Sequence, residues 1–250
     1  FSRNMVQDPD GRSRWEAPRL RRPGCHLLGT DKVGNDVLYV SLKSIRTGLV
    51  IGGLTTLIAI PFAVFFGILA GYFGGWVDDL VQYVYTTLAS IPSLLLIVAF
   101  VILFGRGLTQ LCVILGITSW TGLCRLARAE TLKLREMDYT RAAEAMGVSR
   151  LRILLRHIAP NLMHIVLISA ILQFSGLVLA EAVLAYVGVG VQGGTASWGN
   201  MINAARLELT RDPVVLWNLL ASFFFMFGLV LPANLFGDAL RDALDPRLRI

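Results

Sequence analysis

Asp138–Pro160 reads DYTRAAEAMGVSRLRILLRHIAP, a basic stretch set between two long apolar runs. Its residue order predicts two short helices joined at Gly147. Asp138 is a candidate N-cap, because its carboxylate can accept from the free amides of a first turn. Tyr139–Met146 is rich in helix formers. Gly147 suits the position after a helix, where φ turns positive. Ser149 can cap a second helix over Arg150–His157. Pro160 falls near the start of the next apolar run, where a missing N–H costs least. Ala142, Ala143 and Ala145 make the first helix slim, and Arg141, Arg150 and Arg152 rim it. A slim, Arg-rimmed helix can enter a groove of another protein. On spacing alone, a solvated connecting loop with ordinary caps is the simpler account.

Outward from this stretch the chain is mostly apolar. Of its 250 residues, 55% are hydrophobic and 16% are charged, against about 25% charged in a soluble domain. Mean hydropathy is +0.63. This excludes disorder and argues against a water-soluble globule. About 18 uncharged residues suffice to cross the hydrocarbon core as a helix. Five runs meet that length: Gly48–Tyr72, Leu80–Phe104, Gly107–Cys124, Ile158–Ala180 and Pro213–Gly237. Ala182–Val191 is apolar but short, and Gln192-Gly193-Gly194-Thr195 after it reads as loop, so it is expected to be re-entrant or peripheral. The predicted fold is all-α, a polytopic transmembrane helical bundle in the lipid bilayer. Pro61, Pro92 and Pro232 lie inside spans, which a bundle tolerates where neighbours re-satisfy the backbone. Gly48-x-x-x-Gly52 and Gly67-x-x-x-Gly71 permit close helix approach, expected within one bundle.

The net charge of +6 comes from 23 Lys plus Arg, and their placement decides its meaning. Eight lie between Arg125 and Arg156, and Arg241, Arg247 and Arg249 close the chain. With five spans both groups share one side, which the positive-inside rule makes cytoplasmic. No nucleic-acid partner is implied. Phe1–Thr47 holds nine more basic residues and by parity lies outside, so either the parity differs or an upstream span precedes it. Cys25, Cys112 and Cys124 have no paired spacing, and the last two read as small buried hydrophobes.

No catalytic constellation stands out. The phosphate-binding pattern G-x-x-x-x-G-K-[ST] is missing, and Gly-Lys never occurs. His157 and His164 lie two turns apart without a carboxylate in register, too little for a metal site. The chain therefore reads as a non-enzyme that binds no cofactor of its own.

The stretch Tyr139-x-x-Ala142-Ala143-x-x-x-Gly147, followed by Arg156-His157-Ile158-Ala159-Pro160-Asn161, resembles the EAA loop of permease subunits from binding-protein-dependent ABC importers, in the dipeptide/oligopeptide/nickel branch. Three further stretches are similar to that branch: His26-Leu27-Leu28-Gly29-Thr30-Asp31 with Gly34-Asn35-Asp36, Ser197-Trp198-Gly199 with Met201, and Gly237-Asp238 through Asp245-Pro246-Arg247. Arg141 stands where the EAA triplet has Glu, His157 and Ala159 where Ile and Leu are usual, and Asn35 where the branch has Arg. The resemblance implies a type I ABC importer permease fold with six spans, the first absent here. It divides the chain into an extracytoplasmic segment, 1–47, and a permease domain, 48–250, with a cytoplasmic coupling loop over 129–157. It implies a second permease subunit, two ATPase subunits that carry ATP and Mg, and an extracytoplasmic solute-binding protein, in a bacterial or archaeal cytoplasmic membrane. Tyr139, Arg141, Ala142, Ala143, Gly147, Arg150, Arg152 and Pro160 would form the ATPase-coupling region, and the substrate would be a peptide or related small solute.

For a substrate path the sequence offers Ser90 and Pro92, a candidate helix break beside Ser93, and His164 and Gln173, polar groups within a span that usually face a cavity. Glu181 is expected at the hydrated outer end of its span. The competing function is an ion-coupled secondary transporter or channel, which needs intramembrane carboxylates or broken helices. The five runs contain no Asp or Glu, which counts against it.

Overall fold

A computed structural model describes residues 4–7, 13–16, 26–31, 33–209, 214 and 216–244. Among them is one feature the all-α expectation missed, an antiparallel hairpin of β1 (Asn4–Gln7) and β2 (Ser13–Glu16), with Asn4 opposite Glu16. Asp8-Pro9-Asp10-Gly11 between the strands is a turn-forming composition that could have signalled it.

The rest is helical: α1 (Val37–Phe73), α2 (Gly75–Ser90), α3 (Ser93–Phe104), α4 (Leu108–Glu136), α5 (Asp138–Ala145), α6 (Arg150–Ile153), α7 (Ala159–Tyr186), α8 (Trp198–Glu208) and α9 (Trp217–Leu244), with a π turn at Leu154–Ile158 joining α6 to α7. Val37–Phe73, Leu108–Glu136, Arg150–Tyr186 and Trp217–Ala243 are each long and apolar enough to cross a bilayer. They contain the predicted runs Gly48–Tyr72 and Ile158–Ala180 whole and most of Gly107–Cys124 and Pro213–Gly237. The fifth, Leu80–Phe104, is bent: α2 and α3 meet at 87°. Ile91 takes φ −85° and ψ 128°, the extended backbone that a following proline favours. Pro61 and Pro232 instead lie inside α1 and α9.

The helices locate three segments named from the sequence. The division drawn at Thr47/Gly48 falls inside α1. Ala182–Val191 is not a separate re-entrant piece: Ala182–Tyr186 completes α7, and the chain leaves the helix at Gly188 with φ 87°. The 129–157 segment holds the end of α4, all of α5 and α6, and most of the π turn, with helices on both sides of Gly147. Gln192–Thr195 is loop, as expected.

The chain forms two compact units. The first comprises Phe1–Ile51, Arg106–Leu108 and Val178–Leu231. Here Asp36 caps α1, accepting from the Tyr39 amide at 3.2 Å and pairing with His26 Nδ1 at 3.0 Å. Trp198 is buried and donates its Nε1–H to the Ser41 carbonyl at 3.2 Å. A Cβ at Gly48 would come within 2.9 Å of the Trp198 ring, so the small residue there admits the indole. Ser197 caps α8 by accepting from the Asn200 amide at 3.0 Å. Glu181 corrects the sequence reading. It is 4% exposed rather than hydrated, in α7, with the Ser197 side chain and Gly199 amide against its carboxyl group. The Gly199 amide, in the first turn of α8, suits a carboxyl group.

The second unit comprises Gly52–Gly105, Thr109–Leu177 and Pro232–Ile250. Gly67 and Gly71 set α1 directly on α4. A Cβ at Gly67 would lie 2.6 Å from Ala127 Cβ, and one at Gly71 2.7 Å from the Arg128 carbonyl oxygen. The small-residue motif therefore serves packing inside the bundle, as expected. Ala59, Ala63 and Ala70 of α1 meet Val81 and Tyr85 of α2 and Trp120, Leu123 and Cys124 of α4 in one buried cluster. Cys112 and Cys124 are buried free thiols, and Cys25 lies outside the described residues.

Candidate functional site

Only Met137 separates α4 from α5. Met137, not Asp138, occupies the N-cap position, with φ −67° and ψ 143° and no side-chain cap. Asp138 is the first helical residue, where its charge favours the helix N-terminus. The buried Thr140 hydroxyl donates to the Leu134 carbonyl at 2.8 Å, and Arg141 pairs with Glu136. Both contacts fold α5 back on the last turn of α4. Ala143 is 3% exposed and packs with Tyr72, Leu134, Ile153, Leu154 and Ile158.

After α5 the backbone closes as the sequence predicts. Gly147 has φ 78°, its amide donates to the Glu144 carbonyl at 3.0 Å, and the Val148 amide reaches Ala143 at 3.1 Å. These bonds satisfy carbonyls at the helix end. Ser149 sits at the cap position of α6 but makes no side-chain cap bond. The expected short helix Arg150–His157 is the beginning of a continuous 37-residue helix, Arg150–Tyr186. Pro160 explains the π turn in it. A proline offers no amide for the usual bond, and the Ala159 amide reaches back to Leu154. Asn161 Nδ2 donates to the His157 carbonyl at 2.6 Å and to the Tyr139 hydroxyl at 3.4 Å. The Tyr139 and His157 rings lie 6.3 Å apart, which ties α5 to the root of α7.

The eight coupling candidates thus divide. Ala142, Gly147, Arg150, Arg152, Tyr139 and Pro160 are exposed. Ala143 is not free for a partner, because its close approach is to its own chain. Arg141, expected to meet an acidic partner, already has Glu136, and that hydrogen bond raises its pKa from the ordinary value. Sequence reasoning missed the apolar part of the surface: Met146 is 76% exposed, Leu151 66% and Leu155 65%. Leu151 and Leu155 at i, i+4 share one helix face, while Ile153, Leu154 and Ile158 face the core. That periodicity was the available signal.

The substrate-path candidates have separate settings. Ser90 and Pro92 mark the bend as expected; Ser90 Oγ donates to the Thr87 carbonyl at 2.7 Å, and both residues are exposed. Gln173 on α7 is half-buried and donates to Ser119 Oγ on α4 at 3.1 Å, so its polar group links helices. His164 is exposed on α7. Two apolar cavities of about 410 and 340 Å³ border α3 and α4, sharing Phe100 and Ile117, and none of the four candidates lines them.

A family model described as "Binding-protein-dependent transport system inner membrane component" matches residues 63–250. The chain belongs to this family. The oligopeptide transport system permease protein of Haemophilus influenzae is 33% identical over 243 residues, 97% of this inner-membrane component and 76% of that protein. The dipeptide transport system permease protein of Bacillus subtilis is 32% identical over 90% of this chain and 69% of its own. The glutathione transport system permease protein of Pectobacterium atrosepticum is 34% identical over 90% and 73%. Among solved structures, a chain of the inward-facing MetNI methionine ABC transporter superposes with a TM-score of 0.66 at 17% identity, covering 83% of this chain and 97% of that one. The fold is that of an ABC transporter permease. This inner-membrane component is a multi-pass membrane protein and a member of a transport family.

Proposed function

We propose that the chain is the permease subunit of an ATP-driven importer for peptides or a related small solute. It would form the translocation path with a second permease, receive solute from an extracytoplasmic binding protein, and couple to two ATPase subunits that bind ATP and Mg. The observation that carries this reading is the surface around Gly147. Met146, Leu151 and Leu155 are exposed beside Arg150 and Arg152 on a segment fastened to α4 and continuous with α7. Exposed apolar side chains rimmed by cations suit a protein groove with acidic edges. ATP would act through differential affinity for two arrangements of that segment. The peptide class is supported by the oligopeptide, dipeptide and glutathione permeases to which the chain is similar.

Purification of the membrane complex tests the reading. An ATPase should co-purify, and Gly147→Pro should separate ATP turnover from uptake of radiolabelled trialanine. Uptake by the chain alone on an ion gradient would sink it.

A further inference from the structure

We propose that Arg128 and Arg125 of α4 form a two-point clasp on α2, through which movement of α4 and α5 passes to the bent pair α2–α3. The inference rests on the coupling role proposed above. Arg128 Nε and Nη2 bind the two carboxylate oxygens of Asp78, the second at 2.6 Å. The two side chains are largely shielded, 21% and 15% exposed. Two turns further along the same face of α2, the Tyr85 ring lies 5.4 Å from the Arg125 guanidinium. One contact alone would permit pivoting; two, spaced along both helices, hold a register.

The chemistry of the contact matters. Val81, Tyr85, Trp120 and Leu123 also pack α2 on α4, but apolar contacts by themselves tolerate repacking and rarely impose a single register. A planar guanidinium fork on a carboxylate has one. The ends of α2 are backbone breaks. Gly74, just before it, and Gly75, its first residue, have φ 64° and 54°, and the 87° bend at Ile91–Pro92 follows it. A rod broken at both ends goes where it is held, and the clasp holds it on α4. At its far end α4 carries α5 through Thr140–Leu134 and Arg141–Glu136. Arg128 and Asp78 are therefore positioning residues between the ATPase-facing segment and α3.

The test uses the complete complex with its ATPase, in nanodiscs, with Cys25, Cys112 and Cys124 replaced by Ala and a reporter thiol at the exposed position Ser93→Cys. The reporter's maleimide labelling rate is compared with and without a non-hydrolysable ATP analogue and Mg. The nucleotide effect on labelling should shrink about ten-fold in Asp78→Asn and Arg128→Gln and return in the exchanged pair Asp78→Arg/Arg128→Asp, while the bound ATPase and its basal turnover stay unchanged. Variants that respond like the parent overturn the clasp alone. A parent complex that shows no nucleotide response, or retains no ATPase, overturns the coupling reading and the clasp with it. If the single variants yield too little folded complex, Arg128→Lys decides, because it keeps the charge and loses the fork. A damped response with an unchanged melting temperature supports the clasp, and a full response refutes it.

Discussion

The Thr140 hydroxyl donates to the Leu134 carbonyl at 2.8 Å, so α5 is fixed to α4 by a buried bond six residues long in sequence. Thr140→Val keeps the shape and removes the donor. The Leu134 carbonyl would retain only the Met137 amide, at 3.4 Å. The loss should be about 1 kcal/mol, which raises amide exchange in α5 by roughly five- to ten-fold. Unchanged exchange there would show that the other contacts of α5, the packing of Ala143 among them, hold the helix without this bond.

Gly147 has φ 78° and no heavy atom within 4 Å of where a Cβ would stand. Its requirement is conformational, not steric. Gly147→Ala should cost about 1–2 kcal/mol, and Gly147→Asn less, since Asn tolerates the left-handed region. Thermal unfolding in detergent gives the order, and equal effects of Ala and Asn would contradict it.

Gly67 and Gly53 lie on the same helix yet should respond oppositely to alanine. At Gly67 a methyl would sit 2.6 Å from Ala127 Cβ and 2.9 Å from the Cys124 carbonyl oxygen, and α1 must part from α4. Gly67→Ala should destabilise by roughly 1–3 kcal/mol. Gly53 has nothing within 4 Å, so Gly53→Ala should be neutral or stabilise by up to about 1 kcal/mol. The melting temperatures of the two variants decide.

Gln173 donates to Ser119 Oγ at 3.1 Å. Gln173→Leu should lower stability by about 0.6 kcal/mol, and by no more than roughly 1.7, the range of such bonds between membrane helices. If the link is its role, uptake should keep its substrate preference. A changed preference would return Gln173 to the path.

Asp36 gives a pH dependence with a definite sign. Burial pushes its carboxyl pKa up, but the His26 hydrogen bond, the Tyr39 and Leu38 amides and the His26 charge together hold it below the ordinary value. A lowered folded pKa means stability that is fully present above about pH 4, the unfolded value, and is lost as pH falls through the folded one. Asp36→Ala should cost about 1 kcal/mol at neutral pH through the lost cap. It should also flatten the acid limb of the stability curve, and an unaltered acid limb would rule the carboxylate out as its source.

What the sequence by itself determined was local. Runs of uncharged residues marked the spans because lipid solvates any apolar helix of sufficient length. Pro92 marked the bend because a pre-proline residue resists the helical conformation. Gly147 marked the turn because only a residue without a Cβ adopts its φ freely. The tertiary structure decided which side of each helix is already occupied. Ala143 turned out to face its own core, Arg141 to hold Glu136, and Glu181 to lie buried against the start of α8. Arg128 met Asp78, fifty positions away in sequence. Such pairings depend on how helices are rotated against one another, and side-chain periodicity names a face without naming its neighbour.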